Sequence, residues 1–143
     1  MYERPGRSFY AIATKAVKHL DPCTENGIVG TAIKITAKSW SAGLDANYAR
    51  IEVGEKVNIR TKGIHQHRTE AGSPGAGIAA AVPGDGIYIR PATNALILEA
   101  NNAAGDLPYG RVVEVVAHNP GRGVPADKIR IDLDQKDTLP VAA

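Results

Sequence analysis

The chain of 143 residues contains 15 Gly and 9 Pro but only one Trp, one Phe and five Tyr. This length is typical of a single domain, and a net charge of +2 is too small for a protein that binds nucleic acid mainly through phosphates. A single cysteine excludes a disulfide-built scaffold and favours synthesis in a reducing cytoplasm. The apolar runs are short, so we expect neither a signal peptide nor a membrane span.

The first quarter of the chain predicts an arm and two strands. Residues 1–8 are polar and predict an extended N-terminal arm. Residues 9–17 (FYAIATKAV) predict a strand, and residues 18–26 contain turn signals. Residues 27–37 (GIVGTAIKITA) alternate with period two and are rich in β-branched side chains, which predicts a second strand. Gly30 within it indicates a bulge or a close approach of another backbone.

The middle of the chain predicts short strands between loops. Residues 39–48 predict a loop or one helical turn. Residues 50–64 predict two strands with a turn at Gly54 and a break at Gly63. Residues 70–77 (EAGSPGAG) predict a loop because they are rich in small and turn-forming residues.

The last part of the chain predicts a hairpin and two further strands. A Pro-Gly-Asp-Gly turn precedes a strand over residues 86–90, and residues 95–100 predict its hairpin partner. Residues 111–118 and 128–133 alternate again and predict strands, whereas residues 134–143 predict a loose tail.

These elements predict an all-β fold, a single compact β-barrel or sandwich of about seven or eight short strands. Helical periodicity is not seen in the sequence, and no alternation of strands with helices supports a parallel sheet. We therefore expect an N-terminal arm over residues 1–8, a β-domain over residues 9–133 and a C-terminal tail over residues 134–143.

His65 and His67 form the one spacing that suggests a metal site. Residues i and i+2 of a strand point to the same face, so both imidazoles can hold one ion. No third ligand follows from the spacing, and we interpret the pair as polar residues on the solvent face. We expect no bound metal.

Other chemical motifs are equally weak. Residues 75–80 (GAGIAA) match a dinucleotide fingerprint, but Pro83 ends any helix too soon and no strand precedes the match. Cys23 is interpreted as an incidental thiol, and pairs such as Asp132 with Asp134, or Asp45 with Glu52, as solvated surface charges. We therefore expect no enzyme activity and no cofactor.

Large aromatic side chains outside the clear strand cores are candidates for a protein interface. Trp40 lies in a predicted loop, where it can cap the core or anchor an interface, and both roles stay open. The same ambiguity applies to the aromatic residues near the N-terminus, which are accompanied by two arginines. The candidate interface residues are Tyr2, Arg4, Arg7, Phe9, Tyr10 and Trp40.

The order of small residues and turns from about Glu55 onward resembles the bacteriophage head decoration (capsid cement) proteins of the small β-barrel type. Residues 84–88 (GDGIY) and 110–113 (GRVV) carry the match, and residues 26–35 (NGIVGTAIKI) are similar to the opening strands of that family. The resemblance is a pattern of turns and small residues, and no individual functional residue transfers with it.

The resemblance implies a structural virion protein without catalysis. Proteins of this family bind the outer surface of an expanded head, commonly as trimers, and clamp neighbouring major capsid subunits. It therefore implies the major capsid protein and a homotrimer as partners, with no membrane or nucleic acid. The alternatives that stay open are another minor head or head–tail protein, a small nucleic-acid-binding β-barrel, and a metal enzyme using His65 and His67.

Overall fold

The computed structural model describes residues 8–35, 50–116 and 128–143. Within these ranges the chain is built from short strands, which confirms the all-β prediction, and three 3-10 helices at Ala76–Ile78, Glu99–Asn101 and Leu133–Thr138. The strands are β1 (Ser8–Ile12), β2 (Val17–Lys18), β3 (Pro22–Glu25), β4 (Ile28–Lys34), β5 (Arg50–Ile51), β6 (Lys56–Arg60), β7 (Ile64–Arg68), β8 (Gly86–Arg90), β9 (Ala95–Leu98), β10 (Leu107–Val116) and β11 (Lys128–Asp132).

The strands form three antiparallel sheets. One sheet has the order β1-β6-β4-β3, a second has the order β7-β11-β10-β8-β9, and β2 pairs with β5. The two larger sheets give a sandwich-like arrangement, and in the described part of the chain they do not close into a barrel. Of the two predicted architectures, the sandwich is therefore the one observed.

Each larger sheet has its own apolar cluster, built by alternation along the strands. In β6, Val57 and Ile59 are fully buried and pack in the cluster of the four-stranded sheet. In β11, Ile129 and Ile131 are fully buried in the cluster of the five-stranded sheet, while Lys128 and Arg130 are exposed. This period-two pattern is why the predicted strand over residues 128–133 is found almost unchanged.

The N-terminal strands differ from the prediction in two ways. The strand predicted over residues 9–17 ends at Ile12, and Val17 belongs to β2 instead. The segment predicted as turns contains β3, whose four residues are all buried. Asn26 and Gly27 have φ values of 54° and 79°, which fit the tight turn that pairs β3 with β4.

Two glycines act as the sequence predicts. A Cβ on Gly30 would collide with the carbonyl oxygen of Arg60, which confirms the predicted close approach of another backbone. Gly63 has a φ of 96°, a value that disfavours other residues, and it separates β6 from β7. The chain passes at this point from the four-stranded to the five-stranded sheet.

The C-terminal segment is packed, so the prediction of a loose tail over residues 134–143 is wrong. The Tyr88 hydroxyl donates to the carbonyl of Pro140 at 2.5 Å, and Lys136 Nζ donates to the carbonyl of Val29 at 3.0 Å. Leu139 is buried. These contacts over long sequence separations could not be read from a local pattern.

The predicted arm over residues 1–8 lies outside the described residues except for Ser8, which begins β1, and the predicted loop over residues 39–48 lies wholly outside them. Among the described residues, no helix has the length and apolar character needed to cross a bilayer.

Candidate interaction surface

Strand β1 forms an edge of the four-stranded sheet and carries exposed apolar side chains. It pairs with β6 alone among the described strands. Phe9, Tyr10 and Ile12 are 40%, 62% and 54% exposed. An edge strand presents unpaired backbone groups, and exposed apolar residues beside them are typical of a surface that pairs with another chain.

The two faces of β1 differ in their surroundings. Ala11 packs against the cluster of the four-stranded sheet, and Phe9 shares that face because it is two residues away. Tyr10 and Ile12 occupy the other face, where Lys56 Nζ lies 5.5 Å from the centre of the Tyr10 ring. Phe9 and Tyr10 are therefore close in the chain but face different sides of the sheet.

A cavity of about 410 Å³ adjoins Phe9. Its apolar lining includes Ile28, Leu107 and Pro108. Lys136 also lines it, and burial together with the neighbouring Lys62 lowers the pKa of Lys136 to about 8. The cavity is therefore a largely apolar recess next to the exposed surface of β1, and the basic side chain of Lys136 forms part of its wall.

The sequence-predicted interface residues are only partly described. Phe9 and Tyr10 are exposed on β1, as an interface role requires. The other four, Tyr2, Arg4, Arg7 and Trp40, lie outside the described residues. Ile12 is also exposed on β1 and is not among the predicted residues, although its alternation with Tyr10 in the sequence is a signal that points to it.

The histidine pair is part of a polar network between the sheets. His67 is fully buried, so its interpretation as a residue on the solvent face is wrong. Its Nε2 lies 2.6 Å from the Tyr109 hydroxyl and 3.2 Å from Thr31 Oγ1. Thr31 is on β4, whereas His67 and Tyr109 belong to β7 and β10. The network therefore joins the four-stranded sheet to the five-stranded sheet.

His65 connects this network to the half-buried edge of the sandwich. Its Nε2 donates to the carbonyl of Lys62 at 2.8 Å, and its Nδ1 accepts from the Thr31 hydroxyl at 2.5 Å. Both ring nitrogens are thus used in hydrogen bonds, as in a neutral imidazole. In residues 8–35, 50–116 and 128–143, no group of three His, Cys, Asp or Glu side chains could hold a metal ion.

Burial determines the protonation of the network. Burial, with a smaller effect from the neighbouring His65, lowers the pKa of His67 to about 3. Burial also raises the pKa of Tyr109 far above its ordinary value. At neutral pH the network is therefore uncharged, and its role in this geometry is to hold β4 of one sheet to β7 and β10 of the other.

The remaining candidate catalytic groups have structural contacts. Cys23 is fully buried, and burial raises the pKa of its thiol to about 12. Asp132 accepts a hydrogen bond from the backbone N–H of Asp134 at 3.0 Å, at the start of a 3-10 helix. Glu52 pairs with Arg50, and Asp45 lies outside the described residues.

Comparisons with models of protein families, with curated proteins and with solved structures give no match.

Proposed function

We propose that the protein is a capsid decoration protein that binds the outer surface of an expanded phage head and stabilises contacts between major capsid subunits. The observation that carries the proposal is strand β1, which pairs only with β6 among the described strands and exposes Phe9, Tyr10 and Ile12. The resemblance of the turn and small-residue pattern to the decoration family supports the same conclusion. The proposed assembly is a homotrimer on the outside of the virion.

The described surface suits a role that depends on many equivalent contacts. Burial of an exposed apolar side chain stabilises a complex by up to about 1.5–3 kcal/mol, so one β1 strand gives modest affinity. A trimer presents three such strands at once, and simultaneous contacts raise the overall affinity well above that of one strand. An edge strand also adds backbone hydrogen bonds when it pairs with a strand of a partner.

The test is to add the purified protein to expanded heads that lack decoration. We expect saturable binding over all faces of the head, a higher melting temperature of the decorated head, and trimers in sedimentation of the free or head-bound protein. Binding at a single vertex would instead assign the protein to the head–tail junction. No binding and no change in head melting would overturn the proposal.

A matched experiment separates this function from nucleic-acid binding. The same protein is mixed with DNA and with RNA in a gel-shift assay over a range of salt concentrations. We expect no shift, because the 17 basic and 15 acidic side chains leave a net charge of only +2. A shift that weakens steeply with salt would favour the nucleic-acid alternative.

A further inference from the structure

A second cavity, of about 340 Å³, lies where the β2–β5 pair meets the end of β7 and the turn between β8 and β9. We call it the Lys18–Arg50 cleft. Its charged lining residues are Lys18, Arg50, Arg68 and Asp21. Three of these four side chains are cationic, which sets this cleft apart from the apolar recess beside Phe9.

Lys18 and Arg50 are placed side by side by the pairing of their strands. They are direct partners in the antiparallel register of β2 and β5. Their neighbours Val17 and Ile51 are buried, so the two cationic side chains share the other, more exposed face of the strand pair, and both line the cleft. Like charges directly opposite each other on a sheet are destabilising, and an anion between them would remove that repulsion.

The other charged groups of the cleft do not cancel this pair. Arg68 binds Asp21 with two hydrogen bonds, at 3.2 and 2.9 Å, and the Asp21 side chain is only 7% exposed. Arg50 pairs with Glu52, but both side chains are more than half exposed, so this ion pair is weak. Lys18 has no ion pair with any residue that the structure describes.

The wall of the cleft is held by buried hydrogen bonds. Asn94 lines the cleft, and its Oδ1 accepts from the backbone N–H of Thr24 at 3.0 Å. Ser73, in the loop that follows β7, donates to the carbonyl of Glu70 at 2.7 Å. A site whose walls are fixed before binding loses little conformational entropy when a ligand enters.

From this arrangement we infer that the Lys18–Arg50 cleft binds one carboxylate, supplied by an acidic side chain of a protein partner. The planar guanidinium of Arg50 matches a carboxylate, and the Lys18 ammonium adds a second donor. A phosphate dianion fits less well because Asp21 and Glu70 place two further negative charges around Arg68. If the proposed function holds, that partner is the major capsid protein, and this identification rests on it.

The test of the cleft uses the free protein and nuclear magnetic resonance. An acetylated, amidated peptide with one Glu is titrated into the ¹⁵N-labelled protein at low salt, and the same peptide with Gln is the control ligand. We expect saturable shifts of the amides of Lys18, Arg50 and Gly72 with the Glu peptide only. The double variant Lys18→Gln/Arg50→Gln should weaken binding at least tenfold, whereas Lys62→Gln, which removes an exposed cation beside the other cavity, should not.

Three outcomes of this titration would overturn the inference: no shift at those amides, an equal response to the Gln peptide, or shifts with inorganic phosphate but none with the Glu peptide. If the double variant does not fold, Lys18→Gln alone is used, because it leaves Arg50 and its ion pair in place. Unchanged affinity of a folded variant would also overturn it.

Binding to expanded heads then tests the source of the carboxylate. We expect Lys18→Gln/Arg50→Gln to bind heads at least tenfold more weakly than the unmodified protein. Equal head binding would overturn the capsid protein as the partner, while the peptide result would still support the cleft. Failure of the unmodified protein to bind heads would overturn the proposed function and not the carboxylate site.

Discussion

The hydroxyl oxygens of Thr31 on β4 and Tyr109 on β10 lie 3.2 Å apart and join the two larger sheets through buried polar groups. Apolar side chains tolerate small shifts between packed sheets, but a buried hydroxyl needs its partner at hydrogen-bond distance. The contact is therefore satisfied in one relative position of the sheets. Removing either hydroxyl tests how much this polar contact stabilises the sandwich.

Tyr109→Phe should lower the free energy of unfolding by about 1–3 kcal/mol, because it leaves Nε2 of the buried His67 without its closest partner. Tyr10→Phe is the matched control, since it removes a hydroxyl from an exposed ring and should change stability by less than about 0.5 kcal/mol. Urea unfolding at neutral pH measures both. Equal stabilities of the two variants would show that the Tyr109 hydroxyl contributes nothing.

The stability of the protein should fall in mild acid because His67 is buried in its neutral form. Its pKa is about 3 in the folded protein against 6.5 ordinarily, so the unfolded chain binds more protons between these values. The stabilisation is complete above pH 6.5 and is lost as the pH falls towards 3. One such group accounts for a loss of about 2 kcal/mol between pH 7 and pH 5.

His67→Gln checks this assignment by removing the titrating group. The variant should be less stable at pH 7, but its loss between pH 7 and pH 5 should be smaller by about 2 kcal/mol. His19→Gln serves as the control. Because His19 is only partly buried, this variant should keep most of the acid sensitivity of the unmodified protein. If the acid loss is the same in His67→Gln as in the unmodified protein, His67 is not its source.

Strand β7 shows why the fold follows from the sequence while the network does not. Alternation in IHQHR correctly places His65 and His67 on one face, but it does not say which face is inward. Apolar side chains are buried more often than histidine, which would place Ile64 inward, yet Ile64 is 60% exposed and His67 is 2% exposed. The reason is tertiary: Thr31 and Tyr109, distant in the chain, supply hydrogen bonds that make the buried imidazole tolerable.

The candidate surfaces likewise depend on contacts between distant parts of the chain, which local sequence patterns do not reveal. The aromatic character of Phe9 and Tyr10 marks them as interface candidates, but the pairing of β1 with β6 decides that they face different sides. No pattern in the sequence relates Lys18 to Arg50, because their position opposite each other depends on a pairing between two strands of two residues each. Local patterns predict strands, whereas such pairings depend on the packing of the whole chain.

Cys23 should be unreactive in the folded protein. The thiol is fully buried and its pKa is raised to about 12, chiefly by burial, so the reactive thiolate is scarce at ordinary pH. A chromogenic disulfide reagent at pH 8 should label it only after unfolding in urea. Fast labelling of the native protein would contradict the buried position of β3.

Two arginine–carboxylate pairs that differ in burial and in their number of hydrogen bonds should differ in their contribution to stability. Arg90 binds the buried Asp106 with two hydrogen bonds, whereas Arg130 and Glu114 are both about half exposed. Asp106→Asn should cost about 1.5–3 kcal/mol, because it weakens charge-assisted bonds to a buried group. Glu114→Gln should cost at most about 1 kcal/mol. Thermal and urea unfolding of the two variants compare them, and equal costs would contradict the role given to burial together with the paired hydrogen bonds.

The exposed apolar face of β1 should be needed for head binding and not for folding. Ile12→Ser removes an exposed side chain from this face, and Val82→Ser removes one of similar exposure, 57%, in the segment before β8. Both variants should keep the stability of the unmodified protein to within about 0.5 kcal/mol, since neither side chain belongs to a core cluster.

Only Ile12→Ser should weaken binding to undecorated expanded heads, and by at least tenfold. Burial of an apolar side chain of this size at an interface stabilises the complex by about 1.5–3 kcal/mol, which corresponds to roughly tenfold or more in affinity. Sedimentation of the protein with heads over a range of concentrations gives the two affinities. Equal weakening by both variants would point to a general effect of surface polarity, and full binding by Ile12→Ser would remove β1 from the capsid contact.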